Sequence, residues 1–266
     1  MEGSRPLPGA AVRLDQLLVD HGHFESREKA RRAVMAGLVS VDGARVDKPG
    51  SPVREGALLT IAGPAEPFVS RGGRKLAAGL DAFDVDPAGL SCLDVGASTG
   101  GFTDCLLQRG AARVTAVDVG YGLIDSRLRA DPRVTVVERT NARHLAGDAF
   151  PERFALVVVD LSFISLLKVV PALLPHLAPG GRLLCLIKPQ FEIGRQGVGK
   201  GGIVRDETAR REIIERRARE IAALGLEPAG LIDSPVAGAE GNREALALFV
   251  HALQKVDLLV GQEEVG

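Results

Sequence analysis

The sequence predicts an α/β protein: a doubly wound, mostly parallel sheet preceded by a small α+β unit. Three observations predict it. Short apolar runs recur after residue 90 with helical patterns between most of them: Cys92–Val95, Val114–Asp118, Val134–Glu138, Leu156–Asp160, Leu183–Ile187, Gly230–Asp233 and Ala245–Val250. These runs are nearly continuous in apolar residues, as strands covered on both faces are. Ahead of them, residues 12–62 read as two helices and a few short strands, set off by a break at 63–68, Gly63-Pro64-Ala65-Glu66-Pro67-Phe68. A chain of 266 residues is long enough for both units. Apolar residues make up 45% and charged residues 25%, ordinary for a soluble globular protein. The formal net charge of −1 gives no global field toward nucleic acid or membrane, so any basic partner surface is local.

Residues 1–11 read as a polar lead-in with Pro6, Pro8 and Gly9. Leu14, Leu17 and Leu18 then fall at helical spacing, and His21-Gly22 closes that helix. Ser26 caps a second helix, with Ala30, Val34 and Leu38 on one face and Arg27, Lys29, Arg31 and Arg32 on the others. Val39-Ser40-Val41 alternates like a strand, and Asp42-Gly43 turns it back as a hairpin. Leu58 to Ile61 is one more short strand.

Leu93-Asp94-Val95-Gly96-Ala97-Ser98-Thr99-Gly100-Gly101-Phe102 joins a strand to a helix through a glycine-bearing turn, where an open α/β sheet offers amides to a ligand. A dinucleotide fingerprint requires glycine at its third position, and Ser98 stands there. The strand also ends in Asp94, a poor neighbour for two phosphates. Both facts favour a phosphate-free adenosyl ligand, and S-adenosylmethionine fits. Asp94 attracts its ammonium and sulfonium, Gly96, Gly100 and Gly101 admit the methionine portion, and Asp118 accepts from the ribose hydroxyls. Tyr121 and Asn141 follow strands on the same edge.

Along the sheet lie Ser70-Arg71-Gly72-Gly73-Arg74-Lys75-Leu76, Val159-Asp160-Leu161-Ser162-Phe163, Ile187-Lys188-Pro189-Gln190-Phe191-Glu192 and Gly241-Asn242-Arg243-Glu244. With the turn at 94–102, Asp118 to Gly122 and Glu138 to Arg143, these motifs resemble the TlyA family, whose members resemble FtsJ-type 2′-O-ribose RNA methyltransferases. The resemblance covers about Phe68 to His251, and the front unit is similar to the αL RNA-binding fold. It implies a Rossmann-like class I methyltransferase sheet, parallel with one antiparallel strand, over 69–255, behind an αL domain over 12–62. It also implies a catalytic tetrad of Lys75, Asp160, Lys188 and Glu244, with Lys188 as the base. Donor contacts would come from Asp94, Gly96, Ser98, Gly100, Gly101, Phe102, Asp118, Val119, Asn141 and Asp160.

The chemistry suits that set. A ribose hydroxyl must lose its proton as it attacks a methyl carbon, and an ordinary lysine, charged at neutral pH, cannot take it. A second ammonium and partial burial both disfavour the charged form, while the carboxylates oppose that effect and hold the amines in place. Contacts to the phosphates of ribosomal RNA are expected from Arg27, Lys29, Arg31 and Arg32, and from Arg71 and Arg74 of the lysine motif. The connector Ala65-Glu66-Pro67-Phe68 lacks the basic, aromatic character of the best-described relatives. No metal is expected, because the five histidines and Cys92, Cys105 and Cys185 show no ligand spacing. No export signal or apolar span of about 18 residues is present, so a cytoplasmic protein is expected and a membrane-active haemolysin is not. The other alternative is an RNA-binding protein whose methyltransferase-like domain is inactive.

Overall fold

The computed structural model describes residues 11–35, 37–61, 67–194, 199, 201–238 and 241–252. The expected lead-in before Ala11, the break at Gly63–Glu66 and the tail after Ala252 lie outside them. The chain divides into two compact units, Met1–Ala65 and Glu66–Gly266.

The first unit runs β1 (Ala11–Arg13), α1 (Leu14–Asp20), α2 (Arg27–Met35), β2 (Val39–Val41), β3 (Ala44–Arg45), β4 (Pro52–Arg54) and β5 (Leu59–Ile61). Leu14, Leu17 and Leu18 of α1 meet Ala30, Ala33 and Val34 of α2 in a small core. The Ser26 hydroxyl accepts from the Lys29 amide (3.3 Å), as a cap does. Asp42 and Gly43 both take positive φ, which a tight hairpin requires. Two features differ from expectation. Leu38 lies beyond the helix and is exposed. The strands form two sheets, β3-β2-β5 and β1-β4, because Ala11–Arg13 finds an antiparallel partner in Pro52–Arg54.

The second unit runs α3 (Arg71–Ala82), β6 (Ser91–Val95), α4 (Gly101–Gln108), β7 (Arg113–Val117), α5 (Ser126–Ala130), β8 (Val134–Val137), β9 (Phe154–Val159), α6 (Val170–Leu173), β10 (Leu177–Ile187), α7 (Pro189–Glu192), α8 (Glu207–Ala222), β11 (Leu226–Asp233) and β12 (Ala245–His251). Seven strands make one sheet in the order β11-β12-β10-β9-β6-β7-β8. The links from β10 through β8 are parallel, whereas β12 runs antiparallel to both β10 and β11. This is the expected sheet with one antiparallel strand.

Side chains alternate between two cores. Leu93, Val95, Val157 and Val159 face Ile214 and Ile221 of α8. Cys92, Leu156 and Val158 face Leu76 and Leu80 of α3 and Leu106 of α4. Each buried leucine contributes about 1.5–3 kcal/mol of apolar burial. The strand ends depart from the apolar runs at two places. β10 starts at Leu177 and carries a register shift before Arg182, where Pro179-Gly180-Gly181 interrupts the ladder. β11 reaches back to Leu226 with a shift after Pro228, a residue with no N–H to donate, tolerated on an edge strand. Between β9 and β10, Pro171 and Pro175 break the helical pattern into α6 and short 3₁₀ turns.

Candidate active site

The register collects the chemistry on one sheet edge. Val95 is aligned with Val117 of β7 and Val159 of β9, Val159 with Cys185 of β10, and Ile187 with Ala245 of β12. The residues one step beyond these strand ends therefore share an edge: Gly96, Asp118, Asp160, Lys188 and, leading into β12, Glu244. This is the carboxyl edge of the parallel strands, where open α/β sheets bind ligands.

Four of these positions form two ion pairs. Lys188 Nζ lies 2.5 Å from Asp160 Oδ1. Lys75, on the first turns of α3, donates to Glu244 Oε2 at 2.5 Å across 169 residues of sequence. Lys75 and Glu244 are buried, and the Lys188 and Asp160 side chains are only 12% and 21% exposed. Lys188 also donates to the Ser162 hydroxyl at 3.0 Å.

The glycine turn packs tightly against this edge. Gly96 (φ +87°) cannot carry a Cβ, which would run into the carbonyl oxygen of Asp160. The Asp160 amide in turn donates to the Val95 carbonyl at 3.0 Å. Gly100 (φ +95°) leads into α4, and a Cβ there would strike Leu128 of α5; one on Gly101 would strike Ser70 ahead of α3. All three glycines are thus required by neighbouring protein, which the expectation of room for a ligand did not foresee. The Phe102 ring lies in the core with Leu76 and Leu106, leaving only its backbone at the turn. Ser98 is exposed at φ +50°, and its amide donates to Asp118 Oδ2 (2.8 Å), while the Gly120 amide donates to Oδ1 (2.7 Å). Each Asp118 oxygen keeps a lone pair for a hydroxyl donor. Val119 is exposed, and exposed Asn141 caps the turn at 142–144 by accepting from the Arg143 amide.

Asp94 fits a cationic ligand. It is 0% exposed, its Oδ2 accepts from the Thr103 hydroxyl at 2.6 Å, and Oδ1 has no hydrogen-bond partner. Burial, with smaller contributions from Asp160 and Asp118, pushes its carboxyl up to about 7. The charged side chains that raise it, Asp160 and Asp118, are both carboxylates.

Sequence reasoning missed several residues around this edge. Phe163, next to Ser162, is 90% exposed at φ +66° and lies 5.0 Å from the Phe191 ring, centroid to centroid. An exposed aromatic at positive φ is uncommon and clusters at functional sites. Glu192 Oε1 accepts from the Leu166 amide (2.8 Å), and its Oε2 pairs with Arg217 of α8 (2.6 Å). Buried Asn242 accepts from the Val204 amide and donates to the Gly202 carbonyl, fixing the approach to Glu244. Tyr121, which the sequence did place on this edge, is exposed and carries the Arg139 guanidinium 4.2 Å from its ring centroid.

In the first unit Arg27 reaches Asp15, which also accepts from Nε and Nη2 of Arg13; that guanidinium holds the Asp15 carboxyl below its ordinary range. Lys29 pairs with Glu25 and Arg32 with Glu28, one helical turn away. Such exposed pairs are worth only about 0.3–0.5 kcal/mol and exchange readily for a phosphate. Arg31 is exposed on α2, and Arg71 and Arg74 are exposed at the start of α3. The Arg-rich α8, expected as a solvated salt-bridged face, is salt-bridged, yet Arg210 and Arg217 are buried in their pairs.

Known proteins give this architecture a class. The FtsJ-like methyltransferase family matches residues 68–250, and the S4 domain matches residues 12–59. The chain belongs to the FtsJ-like methyltransferase family, with an S4 domain ahead of the catalytic one. Among individual proteins it is 47% identical over 234 residues to the 16S/23S rRNA (cytidine-2′-O)-methyltransferase TlyA of Mycobacterium tuberculosis, covering 88% of this chain and 87% of that protein. It is 38% identical over 240 residues to Hemolysin A of Brachyspira hyodysenteriae, covering 90% and 100%. A solved structure from Streptococcus thermophilus that carries the haemolysin name superposes with a TM-score of 0.75 at 41% identity, covering 91% of this chain and 89% of that one. The resemblance to the TlyA family is borne out. Among the described residues no helix is long and apolar enough to cross a membrane.

Proposed function

We propose that this protein methylates the 2′-hydroxyl of a ribose, that of a cytidine, in ribosomal RNA, with S-adenosylmethionine as donor. The observation that carries this reading is the Lys188–Asp160 pair on the carboxyl edge, beside the Gly96 turn, in an FtsJ-like domain that follows an S4 domain. The 47% identical relative from Mycobacterium tuberculosis bears the same activity in its name. The donor, when bound, supplies an electrophilic methyl group on a sulfonium. Asp94 offers that cation an unpaired buried carboxylate oxygen. Asp118 holds ribose hydroxyls, and the Ser98–Phe102 backbone lines the turn.

Lys188 in its neutral form takes the proton of the attacking hydroxyl at Nζ, and Asp160 keeps that nitrogen in place. Lys75, restrained by Glu244, sets the field on the other side. Exposed Phe163 gives a flipped base a face to stack on. Arg27, Lys29, Arg31, Arg32, Arg71 and Arg74 contact phosphates, which position the RNA without reading its sequence. The protein acts in the cytoplasm on ribosomal subunits.

The test is transfer of labelled methyl from donor into ribosomal subunits lacking the modification, with mapping of the 2′-O-methyl position. Lys188→Ala should lower the rate by about 10²–10⁴-fold, the contribution of a general base, with donor affinity kept. Equal labelling by wild type and variant would remove Lys188 as the base.

A further inference from the structure

We propose that Ser162 is a positioning residue that aims Lys188, an inference that rests on Lys188 being the base. The Lys188 nitrogen carries three directions besides its bond to Cε. One carries a hydrogen bond to Ser162 Oγ (3.0 Å), and Asp160 Oδ1 lies 2.5 Å from the nitrogen as an ion-pair contact outside hydrogen-bond geometry. In the neutral amine the Ser162 direction is an N–H bond; the Asp160 carboxylate repels the lone pair, so the direction nearer it is the second N–H and the remaining one is the lone pair. With Asp160 alone, rotation about Cε–Nζ leaves the lone pair two equivalent places. The Ser162 hydroxyl removes that ambiguity, so the lone pair occupies the one direction left for the substrate hydroxyl. When the proton arrives, Lys188 becomes an ammonium with its hydrogen bond to Ser162 and its ion pair with Asp160 unchanged. The ribose oxygen keeps the pair of its broken O–H bond and uses it to bond the methyl carbon, whose bond to the donor sulfur breaks with its pair left on sulfur as a neutral thioether. No group needs to reorganise at the moment of transfer.

The loop that carries Ser162 is built to hold this position. Phe163, the next residue, sits at φ +66°, a conformation a phenylalanine adopts only when its surroundings impose it. Glu192 anchors the same loop: buried, it accepts from the Leu166 amide and pairs with Arg217, so the loop after β9 is tied to α7, which follows Lys188 directly. Ser162 itself is exposed and tolerates substitution without disturbing a core. The charged groups around Lys188 are Asp160 from β9, Glu244 with its partner Lys75, and Asp94 of β6, which senses Asp160. Ser162 is the neutral member of that set. It accepts from the charged amine, so its removal disfavours the ammonium.

Single-turnover methyl transfer on ribosomal subunits, measured against pH for wild type, Ser162→Ala, Ser162→Thr and Lys188→Ala, tests this. Ser162→Ala should lower the plateau rate about three- to tenfold, the worth of one hydrogen bond, and move the acidic limb to lower pH. Donor affinity by calorimetry and the melting temperature should match wild type. Ser162→Thr, which keeps the hydroxyl, should restore both plateau and limb. A wild-type rate in Ser162→Ala, or a lower rate with an unmoved limb, overturns the inference while Lys188→Ala stays inactive. An active Lys188→Ala instead overturns the reading on which it rests.

Discussion

Asp94 carries a charge that the protein leaves uncompensated. Its carboxyl sits near 7, against an ordinary value of 3.8. Between those values the folded chain holds a proton that the unfolded chain releases, so stability falls as pH rises from about 4 to 7. Asp94→Asn removes that dependence. Its melting temperature should gain on wild type by several degrees between pH 5 and pH 8, followed by scanning calorimetry. The same change should weaken S-adenosylmethionine binding and flatten its pH profile, whereas wild-type affinity tightens from pH 6 to 8 as Asp94 ionises. A variant more stable and less able to bind donor is the usual sign of a residue kept for function. Phe163 makes a second residue-scale case. Phe163→Ala removes an exposed ring, so the melting temperature should hold. Methyl transfer should fall about 10–100-fold, since stacking one base is worth about 1–3 kcal/mol, with donor affinity unchanged in calorimetry.

At the scale of elements, the buried Glu192–Arg217 pair joins α7 and α8 to the loop after β9. Removing one partner leaves a buried charge alone, so Arg217→Met should cost about 3–5 kcal/mol in denaturant unfolding. The double variant Glu192→Leu/Arg217→Met should recover most of that stability, because an apolar pair of similar volume serves as well in a core. It should not recover the transfer rate, because the Leu166 amide loses its acceptor and the loop bearing Ser162 is released. Little of this clamp was legible in the sequence. Leu156–Asp160 and Ala245–Val250 announced themselves as strands because burial on both faces forces continuous apolar runs. Ala11–Arg13 and Pro52–Arg54 did not, since three-residue strands depend on a partner far along the chain. Lys75, Asp160, Lys188 and Glu244 stood out through the order of their motifs. Ser162 and Glu192 lay inside the same motifs unnoticed, because their roles follow from loop geometry and a positive φ that no spacing rule encodes.

For the whole molecule, the proposed function divides the work between the two units, with charge for RNA from the S4 unit and chemistry from the sheet edge. Arg31→Ala should therefore reduce the slope of log affinity for ribosomal subunits against log salt by about one, leaving donor affinity untouched. Filter binding across a salt series measures it. The sheet also has a temporal side. β12 is the last strand in the described chain, yet it lies between β10 and β11, both made earlier. Without β12, β11 has no hydrogen-bonded neighbour among the described strands and the sheet is divided. That strand's entry brings Glu244 to Lys75. A chain cut short of β12 lacks that pair, and its methyl transfer into ribosomal subunits should be lost, which truncation before Ala245 tests.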